Sequence, residues 1–361
     1  MAISRRKFLK LFGLGTLGTL FTSGIWFSRA HADNIYYSGP PSDHFDGRTF
    51  FNPRGVQPRS FSQFLKWKLL ERPHKWPDSY TSEFHGSQPA QRVHGESIAV
   101  TMIGHATLLI QVNGLNIITD PVFSDRASPF RIVGPMRVNP PGIEFSDLPK
   151  IDAVLLTHNH YDHLDVLTLE KLYRRDNPVI VTPLGNDTII NNVFSGADIR
   201  TGDWHDKFDI SGDTKIHFEP CHHWSARGTR DRRMALWAAF VIETPTRKIF
   251  HIGDTGFHGG KPYIDAAEKH GGFDLAIIPV GAYEPRWFMK GQHQNPSEAV
   301  EGFKLCRTRY AIGHHWGTFQ LTNEPIEEPI ELLARALEEN GVDPDRFQPL
   351  APGQVWNREL A

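Results

Sequence analysis

Apolar residues come in short bursts from Glu96 onward, punctuated by Gly, Asn and Pro. Residues 98–103, 107–112 and 115–119 predict a meander of three strands, because side chains alternate across a pleated backbone and the runs favour β-branched types. Asn113-Gly114 joins the last two as a tight hairpin turn, since both residue types tolerate positive φ. Residues 152–157 form a continuous apolar run, read as a buried strand. The period then becomes helical, and 166–174 and 184–193 predict helices. A second group of strands follows at 215–219, 236–243, 248–252 and 274–280. Asn295-Pro296-Ser297-Glu298 is a helix start, with Asn as cap, Pro at the first helical position and Glu at the third. A last helix covers 327–339 and stops at Gly341. Strand groups with helices outside them predict an α/β fold of stacked sheets covered by helices.

Before Glu96 the texture differs. Residues 33–95 are rich in Pro, Arg and aromatics and poor in periodicity, which predicts an irregular arm wrapped over the domain at 96–361. One amphipathic helix is expected at 60–71, with Phe61, Phe64, Leu65 and Lys68 at helical spacing. The arm's aromatics serve either ordinary packing or a lipid-facing surface. Residues 1–32 are set apart again: Arg5-Arg6-Lys7-Phe8-Leu9-Lys10 precedes a mildly apolar, acid-free run and the small residues Ala30-His31-Ala32. The segment resembles a twin-arginine export signal, which implies dealings with the export machinery, a start of the mature chain at Asp33 and a periplasmic destination. An uncleaved membrane anchor is the alternative.

Composition narrows the function classes. Hydrophobic residues at 39% and charged residues at 22% describe a soluble globular protein. Without residues 1–32 the chain holds 34 basic against 41 acidic residues, a net charge of −7, which argues against a nucleic-acid partner. Two cysteines, Cys221 and Cys306, make no disulfide scaffold and are read as small buried residues. Nineteen histidines in 361 residues are an excess, and they cluster.

The densest cluster is His158-Asn159-His160-Tyr161-Asp162-His163, where the apolar run at 152–157 gives way to a polar loop. Residues two apart on an extended chain face the same way, so His158 and His160 can close on one ion. Once the loop turns, Asp162 and His163 can point to a second position beside it. Imidazole nitrogen and carboxylate oxygen suit zinc and similar ions. Four side chains cannot saturate two ions, so further donors are expected downstream, at the ends of later strands. Candidates are Cys221-His222-His223-Trp224, His251-Ile252-Gly253-Asp254 and Gly313-His314-His315-Trp316, with Asp254 able to bridge both ions.

Taken in order, Asp120, the 158–163 motif, His223, Asp254 and His315 resemble the motifs of the metallo-β-lactamase fold, a four-layer αββα sandwich. Residues 96–320 more narrowly resemble the N-acylphosphatidylethanolamine-hydrolysing phospholipase D family. The resemblance rests on Gly104-His105-Ala106-Thr107, Thr119-Asp120-Pro121-Val122-Phe123, Arg126-Ala127-Ser128-Pro129, the run from Thr157 to Asp165, Gly253-Asp254-Thr255-Gly256 and His315-Trp316-Gly317-Thr318-Phe319. It implies that a His directly before Trp is the ligand, hence His223 rather than His222 and His315 rather than His314. It implies two zinc ions, with iron or manganese as alternatives: one on His158, His160 and His223, the other on Asp162, His163 and His315, bridged by Asp254. Asp120 is expected to hold a ligand imidazole by its far N–H.

Two such ions activate water and clamp an anionic oxygen, so the chemistry is hydrolysis and the pocket decides of what. Arg227, Arg230, Arg232 and Arg233 follow His223 closely and are candidates for an anionic headgroup. The resemblance sets His293 near the reacting phosphate, and Tyr161 inside the metal motif can donate to the substrate. The function expected is a zinc phosphodiesterase acting on N-acylphosphatidylethanolamine or a related phospholipid, with peripheral membrane contact. A lactonase or β-lactamase-like acyl hydrolase is the alternative within the fold, and a non-catalytic metal-bound envelope protein the alternative outside enzymes.

Overall fold

In the computed structural model, which describes residues 33–53 and 55–360, the apolar runs fold into two seven-stranded sheets. The strands are β1 Ser97–Gly104, β2 Thr107–Val112, β3 Leu115–Thr119, β4 Ala153–Leu155, β5 Val179–Pro183, β6 Ile199–Gly202 and β7 Lys207–Ser211. They continue as β8 Thr214–Glu219, β9 Ala239–Glu243, β10 Lys248–His251, β11 Phe273–Pro279, β12 Thr308–His314, β13 Phe347–Pro349 and β14 Val355–Glu359. The helices are α1 Phe61–Leu70, α2 Val166–Asp176, α3 Asn186–Asn191, α4 Lys261–His270, α5 Arg286–Met289, α6 Pro296–Leu305 and α7 Glu328–Glu339. The first sheet has the order β14-β1-β2-β3-β4-β5-β6 and the second β13-β12-β11-β10-β9-β8-β7.

Strand alternation builds the layers. Ile98, Val100 and Met102 of β1 share a core with Phe218, Phe240 and Ile242 of the second sheet. Ile103, Leu109, Ile118 and Val154 belong instead to a separate core with Leu169 and Leu172 of α2 and Ile190 of α3. On the second sheet, Tyr263, Val300, Phe303 and Leu333 bring in α4, α6 and α7. The result is the expected four-layer αββα sandwich. The hairpin at Asn113-Gly114 has both residues at positive φ, 51° and 74°, and pairs Val112 with Leu115. Asn295 caps α6 through a capping box with Glu298, as the sequence predicts.

Other boundaries move for local reasons. The run at 152–157 contributes only Ala153–Leu155 to the sheet, because the chain leaves the ladder to form the polar loop. The helix expected at 184–193 shrinks to Asn186–Asn191, since Gly185 before it adopts a left-handed φ of 85°. Strand β7 alternates exposed and half-buried positions at a sheet edge, and its polar composition hides it from a hydrophobicity pattern.

The arm lies over this frame through specific contacts. Phe45 and Phe50 enter the main core. Trp67 Nε1 donates to Asn323 Oδ1 at 3.0 Å, Trp76 Nε1 to the Glu324 carbonyl at 2.8 Å, and the Tyr36 hydroxyl to Asp231 at 2.8 Å. Trp67 is the buried residue of α1, whereas Phe61 and Leu65 of the anticipated stripe are exposed. Both cysteines are buried and unpaired, and burial pushes the Cys306 thiol up to about 12. The export-signal reading concerns residues 1–32 and lies outside the described residues. Among the described residues no helix is long and apolar enough to cross a membrane.

Candidate metal centre

Strand direction gathers the chemistry. Strands β8, β10, β11 and β12 run the same way, as do β3, β4, β5 and β6. Asp120, His158, His223, Asp254 and His315 each follow the C-terminal end of one of these strands. Close backbone approach makes the meeting possible at two glycines. Gly253 sits at φ 64°, and a Cβ there would stand 3.0 Å from Thr157 Cγ2. A Cβ on Gly281 would stand 2.1 Å from the His315 carbonyl oxygen. Within the 158–163 loop, Leu164 N–H donates to the His160 carbonyl at 2.8 Å, closing the turn that brings Asp162 and His163 round. Asp165 ends the motif as the N-cap of α2.

Two donor groups converge. His158 Nε2 lies 2.9 Å from His160 Nδ1, which lies 3.2 Å from His223 Nε2. In the second group His163 Nε2 and His315 Nε2 are 3.3 Å apart, and each is 3.5 Å from Asp162 Oδ2. Asp254 Oδ2 stands between the groups, 3.2 Å from His315, 3.3 Å from His163 and 3.7 Å from His223. The edge of a tetrahedron with 2.0–2.1 Å bonds is about 3.3–3.4 Å, so these spacings match the donor shell of two divalent ions. The second Asp254 oxygen, Oδ1, is buried without a hydrogen-bond partner, an expensive state for a carboxylate unless a cation answers it. The donor set therefore fits two metal ions of the zinc and iron class.

Around these donors sits a supporting layer. Asp120 accepts from His163 Nδ1 at 2.8 Å and is itself held by the Thr157 N–H and hydroxyl, both at 2.7 Å. This fixes the His163 tautomer so that Nε2 faces the site. His223 Nδ1 donates to the Gln292 carbonyl at 3.1 Å, with the same consequence. Replacing Asp120 with Ala is expected to weaken metal binding by about 10–100-fold, read by competition with a chelator of known affinity. Unchanged affinity would remove Asp120 from this role.

Electrostatics divides the site. Burial drives His160 down to about 3 and His223 to about 4, so both imidazoles are neutral near pH 7. His158 is lowered well below 6.5 by the same cause. His315 is buried too, but Asp254 and its hydrogen bonds to Asp162 and Asp254 outweigh that and raise it to about 9. His163 is likewise held above its ordinary value by Asp254, Asp162 and Asp120 against the opposing effect of burial.

One residue escapes the spacing argument. His105 is buried, donates from Nε2 to Asp162 Oδ2 at 2.9 Å and packs its ring 3.9 Å from that of His315. Its signal is a lone polar residue between two apolar strand runs, after a glycine. His222 and His314 stay outside the converging donors: His222 packs its ring 3.8 Å from that of His258, and His314 is buried beside His251.

A cavity of about 650 Å³ opens onto the donors. His160, Asp162, Asp254 and His293 line one end, with His293 Nδ1 3.9 Å from Asp254 Oδ2, and Tyr161 lines the same cavity. Phe61, Phe64 and Trp67 of α1, with Trp224, Phe288 and Leu321, form an apolar wall. The four arginines part company. Arg227 lines the cavity but donates to the carbonyls of Leu164 at 2.7 Å and Asn159 at 3.2 Å, with its guanidinium 3.8 Å over the Tyr161 ring. Arg232 also lines it, over Trp224 at 4.6 Å. Asp231 closes the turn between them by accepting from Arg227 N–H and Gly228 N–H, which leaves Arg230 exposed and sends Arg233 to Gln57. Neither Arg230 nor Arg233 lines the cavity.

A family model described as a beta-lactamase superfamily domain matches residues 115–316. The chain is 35% identical over 333 residues to N-acyl-phosphatidylethanolamine-hydrolyzing phospholipase D 1 of Caenorhabditis elegans, covering 86% of this chain and 93% of that protein. It is 34% identical over 247 residues to the mitochondrial N-acyl-phosphatidylethanolamine-hydrolyzing phospholipase D of Saccharomyces cerevisiae, covering 67% of this chain and 52% of that one. A metallo hydrolase from the archaeon Ignicoccus hospitalis shares the fold with a TM-score of 0.54 at 18% identity, over 73% of this chain and 100% of that one.

Proposed function

The chain belongs to the beta-lactamase superfamily and is a metal-dependent hydrolase, and from that premise we propose a zinc phosphodiesterase of the phospholipase D type, acting on N-acylphosphatidylethanolamine or a closely related phospholipid. The observation that carries this is the cavity, in which an apolar wall and the arginines Arg59, Arg227 and Arg232 meet the two donor groups. A phosphodiester with an acyl tail matches that division, and the names of the worm and yeast relatives support it. Two divalent ions held by these donors would supply an activated water near neutral pH and would neutralise negative charge growing on the substrate. Export through Arg5 and Arg6 to the periplasm belongs to the same proposal.

The chain's own residues do the rest. Arg232 spends one N–H on the Arg59 carbonyl at 2.9 Å and keeps other donors for an anionic headgroup. Arg227 holds the metal loop through its two carbonyl contacts and stiffens Tyr161 beneath it. Burial holds His293 well below its ordinary value, so it is a neutral imidazole able to donate one hydrogen bond to a phosphoryl oxygen. Trp224, Phe288 and Trp67 exclude water from the acyl chain.

In detergent micelles of N-acylphosphatidylethanolamine, phosphatidic acid and N-acylethanolamine are the expected products by mass spectrometry. Arg232→Ala is expected to raise KM by about tenfold or more with metal content unchanged, as for a headgroup contact made in both ground and transition states. An unchanged KM removes Arg232 from substrate binding. Lactone or β-lactam opening without any phospholipid loss overturns the proposal.

A further inference from the structure

His223 is the one donor of its group that does not come from the 158–163 loop. It stands between β8 and β9, on a long connection without helix or strand. A ligand on such a loop keeps its place only through what touches it, and the arm touches it twice. Asn52 Nδ2 donates to the Cys221 carbonyl at 2.7 Å, two residues before His223. The Val56 carbonyl accepts from Gln292 Nε2 at 3.0 Å, and the main-chain carbonyl of that same Gln292 accepts from His223 Nδ1 at 3.1 Å. Gln292 is buried, so its side-chain amide depends on the Val56 carbonyl for a partner. Neighbouring contacts run the same way: Gln57 accepts from Arg233, the Arg59 carbonyl accepts from Arg232, and the Arg59 guanidinium donates to the Trp287 carbonyl. The arm thus ties the loop carrying His223 to the loop between β11 and β12. Pro53 and Pro58 fix φ and offer no N–H, which suits a tether rather than a strand.

We propose that Asn52 and the Val56 carbonyl form a strap that positions the His158–His160–His223 metal site. One end sets the chain that carries His223, and the other sets the Gln292 carbonyl that orients its ring. This rests on the reading of those histidines as one metal position and brings the arm into it. His158 and His160 are set by the spacing of their own loop, so His223 is the member that gains most from an outside hold. Ordering a loose ligand costs binding energy, and a partner that orients it in advance saves that cost. The Cys221 carbonyl also accepts from Trp237 Nε1 at 3.1 Å, so losing Asn52 loosens the loop without freeing it. The other position, Asp162–His163–His315, has its own support in Asp120. The strap therefore acts on the two ions unequally, which a general loss of stability would not do.

Zn2+ binding to the full metal-free chain, resolved into its two steps by competition with a chelator, tests this in four proteins. They are wild type, His223→Ala, Asn52→Leu and Gln292→Met. His223→Ala marks the step that belongs to this position. Asn52→Leu keeps the volume and loses the donor, and Gln292→Met keeps the chain length and loses the amide. Each of these two is expected to weaken the His223-dependent step by about tenfold and to leave the other step within about twofold. Asn52 does not line the cavity. Excess Zn2+ should therefore restore kcat of Asn52→Leu on bis-p-nitrophenyl phosphate, with KM unchanged throughout. Wild-type affinity in either variant, or equal weakening of both steps, overturns the strap while the metal position stands. If His223→Ala keeps both steps, the metal position is misread and the strap falls with it.

Discussion

Replacing Asp254 with Ala is expected to remove bound metal and lower kcat/KM by about a thousandfold or more. Its Oδ2 reaches His163 and His315 of one donor group and His223 of the other within 3.7 Å. Deleting it takes the shared carboxylate from both positions, leaving His158, His160 and His223 with no carboxylate among them and His163 and His315 with Asp162 alone at their inward nitrogens. Asp254→Asn keeps the shape and loses the charge, so it should retain part of the metal and little of the activity. His222→Ala serves as the control, since His222 lies outside the converging donors and should keep both. Elemental analysis beside kinetics on the same samples decides the matter. Two ions and normal turnover in Asp254→Ala would mean that the reacting centre lies elsewhere.

The second large effect is in proton linkage. In the metal-free protein His315 is raised from 6.5 to about 9 and His163 is raised as well, so both are cationic at neutral pH. Both contribute stability to the metal-free protein that is fully present below pH 6.5; that of His315 is lost as pH rises through about 9, and that of His163 as pH rises through its own raised value. Asp162 and Asp254 are held well below 3.8, because neighbouring imidazolium charges outweigh burial, so their contribution disappears only in acid. A metal must displace the two imidazole protons, while His158, His160 and His223 are already neutral. Loading the Asp162–His163–His315 position at pH 7 is therefore expected to release about two protons, and its affinity to climb until about pH 9. On acidification that position should empty first, taking the stoichiometry from about two ions per chain to about one. Calorimetry in buffers of different ionisation enthalpy measures the release, and a heat independent of buffer would contradict it.

The donor pattern was legible because strand ends concentrate it. Period-two spacing at His158 and His160, a turn, and Asp162 beside His163 are local facts, and their geometry follows from local backbone rules. The strands were legible locally as well: short apolar runs and the Asn113-Gly114 turn announce β1, β2 and β3. What escaped depends on tertiary contact. His105 stands in the Gly104–Thr107 motif without an assigned role until the fold brings it against Asp162 and His315. Strands β13 and β14 are short and polar, held by pairing with β12 and β1 rather than by a pattern of their own. The arginines looked equivalent in the chain, and only the Asp231-closed turn separates Arg232 from Arg230 and Arg233. Likewise, helical spacing cannot say that Trp67 faces the cavity while Leu69 faces out.

Hydrolysis of N-acylphosphatidylethanolamine in ¹⁸O-water, followed by mass spectrometry of every product, identifies the bond that the enzyme breaks. Water attacking phosphorus puts one ¹⁸O into phosphatidic acid and leaves the N-acylethanolamine unlabelled, which is the expected result. Label in a released fatty acid would mean attack at carbonyl carbon, and label in the N-acylethanolamine would mean cleavage on the carbon side of the ester oxygen. Either outcome contradicts a metal-dependent phosphodiesterase at this site.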